Sequence, residues 1–441
     1  MDRKQIHLLL NIRKYFSNFK SSNYGPQYDS LFYLATYSNF IGSYILRKLA
    51  RTKSISFFNN FSIVIKDIFF SLNYLNFSLS KKKIQNDYNQ IIVTWAFENN
   101  FDKKGNLIDR YLNISSNKIK KTLWFVIYMS EKLPKKFNNN IVLLKKNNKK
   151  SLNFFAIFKF IFKNVKFIFK NFFYFLSSIS NYNFFSFTLT SNLKVFLNSK
   201  IKYLIMPYEA QPFQNHIIAF LKNHHYKIKT IGYIHSPPLA LPSNFVYKSF
   251  SPDKIILNGK DQIYCFSKIL GWKKSKIKLL PSLRFLKNKK NIIKTIYLPL
   301  SIRNPKIVLK SLNFLIKNNY IDIKNYLIKN HPAAFKSAEN LKIKKSIEKL
   351  KENIKKNNEK VNSKYLIFIG SSGGIIEALE RGSKVIQIVE FPLFDIYSNR
   401  IWPSIIRRKV NENIYIYSLR KKGNLIKLGN KKNIRLNMNN L

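Results

Sequence analysis

Residues 365–374 read YLIFIGSSGG, and the run IIEALE follows at residues 375–380. Five consecutive aromatic, aliphatic or β-branched residues are typical of a buried parallel strand, and the segment after the glycines has the pattern of a helix. A helix that begins directly after such a strand offers its free N–H groups and the positive end of its dipole to an anion. Because Ser371, Ser372 and Gly373 let a phosphate come close, this stretch predicts an α/β fold with a phosphate site.

A second strand-end loop points to the same kind of site. Residues 325–328 form another strand-like run, and Lys329, Asn330, His331 and Pro332 follow it. Ligands of open α/β sheets bind at the carboxyl ends of strands, so two such loops favour a nucleotide site. Either loop alone is equally well explained as a turn or a helix cap. The chain contains neither a P-loop nor the Gly-x-Gly-x-x-Gly fingerprint, so the phosphate site is of another kind.

The composition favours two domains in a reducing compartment. With 441 residues, the chain exceeds what one hydrophobic core usually fills. The net charge of +57 would normally indicate nucleic acid, but the lysines are spread along the whole chain with Asn, Ile, Phe and Tyr, as in the product of an AT-rich gene. We therefore expect no specific nucleic-acid partner. The single Cys265 and the lack of a recognisable secretory or transmembrane segment predict a cytoplasmic protein.

The strand-like runs divide the chain into an extension, two doubly wound domains and a tail. We expect a mostly helical extension over residues 1–85 packed on the first domain, Rossmann-like domains over 86–245 and 246–420, and a basic tail over 421–441. The proline-rich stretch 237–242 marks the boundary between the two domains. Strands are predicted at residues 91–95, 123–128, 203–206 and 229–234 in the first domain, and at 254–257, 277–280, 295–300, 325–328, 365–369 and 384–388 in the second.

Residues 153–176 form a helix candidate with an unusual surface. Its lysines fall on one helical face, and phenylalanines occupy much of the remainder. A basic stripe beside an aromatic surface is typical of a helix that lies in a membrane interface, but a core helix with one solvated face gives the same pattern. Both interpretations stay open. The lysines of the stripe are Lys159, Lys163, Lys166 and Lys170.

Polar residues also follow strands of the first domain. Glu209 and His235 each come after a predicted strand, so both are expected at the same edge of the sheet. Partial burial would raise the pKa of Glu209 into a range that suits a general base. The alternative is a structural glutamate that caps the helix beginning near Pro212. His235 has an equally open role, and Arg284 is either a phosphate ligand, for which its planar fork is suited, or a surface cation.

Together these motifs resemble a known group of proteins. They are similar to bacterial surface-carbohydrate biosynthesis proteins and, through them, to the two-domain GT-B glycosyltransferases that use CMP-activated acidic sugars, namely sialyl-, polysialyl- and Kdo-transferases. The resemblance covers about residues 90–400 and implies two Rossmann-like domains that face each other across a cleft, with the acceptor on the first and the nucleotide sugar on the second. It is carried by Tyr208-Glu209-x-Gln211-Pro212, Gly232-Tyr233-x-His235-Ser236, Asn258-Gly259, Ser282-Leu283-Arg284, His331-Pro332 and Ser371-Ser372-Gly373.

The resemblance implies roles for these residues. Glu209 corresponds to the acidic catalytic base, although the polysialyltransferases have an acidic pair followed by Gly where this chain has Ala210 and Gln211. His331 would contact the donor phosphate and support the leaving group. His235 and Gln211 would line the cleft on the acceptor side. The residues expected at the nucleotide and its phosphate are Lys329, Pro332, Ser371, Ser372, Gly373, Arg284 and Glu377, with Glu377 reaching the ribose.

The implied activity is inverting transfer of an acidic, nonulosonic or Kdo-like sugar from a CMP-sugar to a glycan or lipid-linked acceptor in polysaccharide or lipopolysaccharide synthesis. No Asp-x-Asp occurs, so fixed dipoles and cations would stabilise the departing phosphate, and we expect no metal and no cofactor. If the basic helix is interfacial, the enzyme is peripheral to the inner face of the membrane. The nearest alternative is a CDP-glycerol or polyol-phosphate transferase. Another is a noncatalytic basic protein that binds RNA or membrane, although no RRM core motif is present.

Overall fold

The structure is a computed structural model that describes residues 1–17, 47, 49–51, 77–80, 87–146, 158, 162, 181–224, 226–287, 294–299, 302, 304–331, 338–352 and 365–430. Two large, mainly parallel β-sheets, a two-stranded antiparallel sheet and associated helices make up this part of the chain, which confirms the predicted α/β class. The strands are β1 Phe77–Leu79, β2 Gln90–Ala96, β3 Ile108–Asp109, β4 Ile114–Ser115, β5 Thr122–Tyr128, β6 Ile141–Lys146, β7 Tyr203–Pro207, β8 Lys229–Tyr233, β9 Lys254–Leu257, β10 Ile277–Leu279, β11 Thr295–Tyr297, β12 Leu327–Lys329, β13 Tyr365–Ile369, β14 Lys384–Ile388, β15 Ile405–Lys409 and β16 Ile414–Leu419.

Eight α-helices accompany these strands in the described part of the chain. They are α1 Asp2–Ser17, α2 Asn181–Lys194, α3 Pro212–Asn223, α4 Lys260–Tyr264, α5 Pro305–Lys317, α6 Ala338–Glu352, α7 Gly373–Glu380 and α8 Pro392–Asp395.

The first sheet has the order β1-β6-β5-β2-β7-β8-β9-β10. Its strands are parallel except at the edge, where β1 runs antiparallel to β6. The central strands β2 and β5 are almost completely buried, as expected when helices cover both faces of a parallel sheet. Loops from the carboxyl ends of β2, β7, β8 and β10 therefore meet along one edge, and the predicted residues Glu209 and His235 lie on two of them.

Strands β9 and β10 belong to the first sheet, whereas the sequence placed them in the second domain. Because β9 pairs in parallel with β8, the proline-rich stretch 237–242 is a loop within one sheet. Prolines exclude a continuing strand, but they do not distinguish such a loop from a linker between domains. The chain passes to the second sheet only between β10 and β11. The domain limits themselves stay predictions.

The second sheet has the order β12-β11-β13-β14-β16-β15. Four of its strands are parallel, and β16 and β15 add an antiparallel edge that the sequence did not reveal. Three of the five residues of β15 are basic, so the period-2 apolar pattern of a half-buried strand is weak there. Helix α7 begins at Gly373, directly beyond β13, as the opening sequence predicts.

Helix α1 contacts the regions around both sheets. Near the second sheet, the Arg407 guanidinium donates two hydrogen bonds of 2.6 Å to the Asp2 carboxylate, and the Gln5 side chain donates to two carbonyls beside α8. At its other end, the Phe16 ring meets the Phe250 ring edge-on, at 6.3 Å between centroids, beside the first sheet. Helix α1 therefore contacts both halves of the structure.

Residues 423–429 cross back from the second sheet to the first. The Lys427 N–H donates to the Asn258 carbonyl over 2.7 Å, and the Ser282 N–H donates to the Lys427 carbonyl over 2.8 Å. A Cβ on Gly259 would lie 2.2 Å from the Leu425 carbonyl oxygen, so this approach requires a glycine. Backbone from the end of the chain thus completes the packing of the first sheet beside β9 and β10.

Candidate active site

Glu209 and His235 form a hydrogen-bonded pair at the carboxyl edge of the first sheet. Strands β7 and β8 pair in parallel up to Pro207 and Tyr233, and both site residues lie two positions further along. The Glu209 Oε1 is 3.0 Å from the His235 Nε2. An ionised carboxylate has no proton to donate, so Nε2 must carry the proton of this bond. The structure therefore places in direct contact two residues that the sequence could only assign to the same edge.

The turn that presents Glu209 is fixed by Gln214 on α3. The Gln214 side chain accepts hydrogen bonds from the backbone N–H groups of Glu209 and Gln211, both at 3.0 Å, and donates to the Pro207 carbonyl. Ala210 has φ of 54°, a left-handed conformation that costs energy for a residue with a Cβ. The predicted cleft residue Gln211 donates from Nε2 to Glu209 Oε2 over 2.7 Å. Both carboxylate oxygens are thus held in place.

The charge environment of Glu209 differs from the sequence expectation. A quarter of its side chain is exposed. Burial of the remainder raises its pKa, but the charge and hydrogen bond of His235, the hydrogen bond of Gln211 and the charge of Arg284 outweigh that effect and hold the pKa of Glu209 below its usual value. The carboxylate therefore stays ionised at neutral pH, and its lowered pKa makes it a weaker base than the sequence expectation implied.

Tyr111 and Asp109 complete the first half of the site, and the sequence did not identify them. The Tyr111 ring meets the His235 ring at 4.5 Å between centroids and 72° between planes. Asp109 accepts hydrogen bonds from the backbone N–H groups of Tyr111 and Leu112 and from the Thr94 hydroxyl, which fixes the short β3–β4 hairpin. Complete burial raises the pKa of Asp109. This carboxyl group orients the hairpin, whereas the Glu209 side chain stays partly exposed.

We expect replacement of His235 by Phe to raise the pKa of Glu209. Phe keeps a ring against Tyr111 but removes the electrostatic and hydrogen-bond contributions of His235 to the Glu209 pKa, so burial is opposed by Gln211 and Arg284 alone. Carboxyl titration by NMR checks this, with the Glu209 signal assigned by its loss in Glu209→Gln. His224→Phe is the matched control, because it alters the histidine that directly follows α3. An unchanged pKa would show that His235 does not set the charge of Glu209.

The second half of the site lies at the carboxyl edge of the second sheet. His331 is half-buried just beyond β12, where burial lowers its pKa and favours the neutral imidazole. Lys329 ends β12 and is exposed, and Pro332 lies outside the described residues. Ser372 is the N-cap of α7 and accepts a hydrogen bond of 3.2 Å from the Gly374 N–H, while Ser371 is exposed beside it. These are the positions that the sequence predicts for a phosphate loop.

Gly373 brings the two halves into contact. A Cβ at this position would lie 2.4 Å from Cγ of Pro237, which is two residues beyond His235. Pro237 has a rigid ring, so any larger residue would push the start of α7 away from that loop. The N-terminus of α7 therefore packs against the loop that follows His235, although the two come from different sheets.

The sequence predicts that Arg284 and Glu377 contact the nucleotide. In the structure, each of them contacts a protein side chain. The Arg284 guanidinium lies over the Tyr111 ring at the edge of the first sheet, 5.7 Å from its centroid. Glu377 accepts hydrogen bonds of 3.0 and 3.2 Å from Arg381, one turn further along α7. Arg381 also donates to the Leu286 carbonyl, so it links α7 to the loop that carries Arg284. In the described part of the chain, no three His, Cys, Asp or Glu side chains are grouped so as to hold a metal ion.

Comparison with known proteins gives remote likenesses. No protein-family profile and no curated protein matches the chain. Among solved structures, S. aureus MnaA with UDP is 11% identical, with a TM-score of 0.36, over 67% of this chain and 78% of its own. A glycosyltransferase from Rickettsia africae ESF-5 is 13% identical, with a TM-score of 0.33, over 71% of this chain and 81% of its own. Likenesses this remote assign no function.

The helix candidate 153–176 is described only at Phe158 and Phe162. Both are helical, and their side chains are 72% and 83% exposed. The lysine stripe lies outside the described residues. Within the described residues, no helix is long and apolar enough to span a bilayer.

Proposed function

We propose that the protein is an inverting glycosyltransferase that takes an acidic sugar from a CMP-sugar donor. One observation carries the proposal: Glu209 is held by His235 and Gln211, and the loop that follows His235 packs, through Pro237, against Gly373 of the strand–Ser–Ser–Gly–helix loop of the second sheet. A base on one wall and an anion cradle on the other are what transfer from a nucleotide sugar to a hydroxyl group requires.

In the proposed reaction, Glu209 accepts the proton of an acceptor hydroxyl as that oxygen attacks the anomeric carbon of the donor. The bond between that carbon and the phosphate oxygen breaks, and CMP leaves with the bonding electrons. The N-terminus of α7, Ser371 and Ser372 hold the phosphate, the Lys329 ammonium group balances its growing charge, and the neutral imidazole of His331 donates a hydrogen bond to it. Attack from the side opposite the phosphate inverts the configuration at the anomeric carbon.

Nucleotide binding tests the second half of the site. We expect CMP to raise the unfolding temperature of the purified protein more than CDP, UDP or GDP does. A ligand at about a hundred times its dissociation constant adds roughly 2.7 kcal/mol to the free energy of unfolding, so the effect is measurable by differential scanning fluorimetry. His331→Ala and the double change Ser371→Ala with Ser372→Ala should remove it.

Two controls make this measurement specific. Ser346→Ala and His224→Ala alter a serine and a histidine outside the cleft, and both should keep the CMP shift. Loss of the Ser372 cap alone costs about 1 kcal/mol, so each variant is compared with and without nucleotide. Preference for CDP would favour the polyol-phosphate transferase. A folded protein that responds to no nucleotide would contradict the proposal and favour a noncatalytic role.

We also propose that the enzyme works at the inner face of a membrane, on a lipid-linked acceptor of surface polysaccharide or lipopolysaccharide synthesis. The exposed Phe158 and Phe162 and the large positive charge support this location. We expect the double change to Ala at these positions to reduce co-sedimentation with phosphatidylglycerol vesicles, whereas Phe97→Ala, at another exposed phenylalanine, should not. Equal sedimentation of the two variants would contradict it.

A further inference from the structure

Arg284 is held in a defined orientation at the mouth of the first half-site. Its guanidinium lies 5.7 Å from the centroid of the Tyr111 ring and 5.3 Å from that of Phe285. Contacts of this kind with aromatic faces orient a guanidinium and leave its N–H donors pointing outward. The side chain is exposed, and it forms no ion pair with any carboxylate among the described residues.

The loop that carries Arg284 is fixed from three directions. The Leu283 N–H donates to the Tyr233 hydroxyl over 2.8 Å, and the Ser282 N–H donates to the Lys427 carbonyl. Arg381 on α7 donates to the Leu286 carbonyl over 3.1 Å. The three partner residues belong to β8, to the returning segment 423–429 and to the end of α7 beside the second sheet. The position of the Arg284 backbone is therefore set by the fold.

Arg284 lies at the same edge of the first sheet as Glu209. Tyr111 contacts both the guanidinium and the His235 ring, and His235 binds Glu209. The charge of Arg284 also contributes to the low pKa of Glu209. Among the described residues, Arg284 is thus a bidentate donor without a carboxylate partner, on the same side as the base that would receive the proton of the acceptor hydroxyl.

We propose that Arg284 binds a negatively charged group, a carboxylate or a phosphate, on the sugar whose hydroxyl group faces Glu209, so that the acceptor of this enzyme is acidic. The planar fork of an arginine matches the two oxygens of either anion, and charge-assisted bonds of this kind are both strong and directional. This inference rests on the proposed function, because it assumes that Glu209 faces the acceptor. It reassigns Arg284 from the donor nucleotide to the acceptor.

Binding of small sugars tests the inference without any catalytic turnover. The probes are methyl glucuronide, glucose 6-phosphate and the neutral methyl glucoside, titrated into the full chain and followed by ligand-observed NMR. All titrations use 150 mM salt, because a protein with a net charge of +57 attracts anions unspecifically at low ionic strength. We expect one of the two anionic sugars to bind about tenfold or more tightly than methyl glucoside. Preference for the glucuronide indicates an acidic sugar, and preference for the phosphate indicates a phosphorylated acceptor.

Variants at position 284 distinguish bidentate binding by the guanidinium from unspecific attraction of anions to positive charge. Arg284→Gln should abolish the preference for the anionic sugar, and Arg284→Lys should retain only part of it, since an ammonium group cannot form the bidentate contact. Arg110→Gln removes an exposed arginine of the β3–β4 hairpin and should leave the preference intact. Equal losses in Arg284→Gln and Arg110→Gln, or no preference in the unmodified protein, would overturn the inference.

The outcome can be separated from that of the proposed function. CMP stabilisation without an Arg284-dependent preference would leave the transferase intact and refute the acidic acceptor. An Arg284-dependent preference in a protein that responds to no nucleotide would retain the anion site but contradict its role as an acceptor subsite.

Discussion

Replacement of Glu209 by Gln is expected to reduce sugar transfer by about 10²- to 10⁴-fold, the usual contribution of a general base. Gln has the size of Glu, and its amide oxygen can still accept the hydrogen bond from His235. The amide oxygen cannot take the acceptor proton at neutral pH, so the loss should appear in the rate of the transfer step and not in nucleotide binding. Single-turnover assays with the donor identified by the stabilisation screen measure it.

Glu98→Gln is the matched control for this change. Glu98 follows β2 at the same edge of the sheet as Glu209, but it is exposed and its backbone N–H contacts Ser130. We expect its transfer rate to stay within twofold of that of the unmodified protein. Comparable rates for Glu209→Gln and Glu98→Gln would exclude Glu209 as the base. CMP should stabilise all three proteins equally, because neither residue lies at the nucleotide.

Replacement of Glu380 by Leu is expected to cause the largest loss of stability, about 3 kcal/mol or more in the free energy of unfolding. The buried Glu380 carboxylate, at the end of α7, accepts backbone hydrogen bonds from Gly423, Leu425 and Ile426. Leu fills much of the same space but leaves three N–H groups without their acceptor, and each buried unsatisfied donor costs about 1 to 3 kcal/mol. Equilibrium unfolding in urea measures the change.

Glu348→Leu on α6 provides the comparison. Its side chain is 42% exposed and pairs with Lys351 one turn away, and surface pairs of this kind contribute at most about 1 kcal/mol. If Glu380→Leu were no more destabilising than Glu348→Leu, the returning segment would not depend on Glu380.

The sequence predicted those parts of the site that depend on neighbouring residues in the chain. The strand, the two serines, Gly373 and α7 form one continuous stretch, so their local pattern was sufficient. Glu209 and His235 could be assigned to one edge because each follows a strand of the same parallel sheet. Their hydrogen bond, however, depends on the pairing register of β7 and β8, which no local pattern specifies.

Other parts of the site depend on contacts between distant segments. Asp109 and Tyr111 lie on a hairpin with strands of two residues, too short for any periodicity to reveal. The position of Arg284 follows from the sheet to which β10 belongs, and apolar runs do not show where one parallel sheet ends and the next begins. The pKa of Glu209 was expected to be high because burial could be inferred from sequence, whereas the compensating charges of His235 and Arg284 could not.

The returning segment 423–429 has a consequence for how the chain is made on the ribosome. The last strand of the first sheet ends at Leu279, but the backbone that completes its packing is synthesised about 150 residues later. At typical rates of protein synthesis, that interval lasts roughly 7 to 30 seconds. During this time the nascent first half leaves the backbone groups of Asn258 and Ser282 without their final partners. The interval is therefore one in which a chaperone can bind the nascent chain and in which aggregation competes with folding.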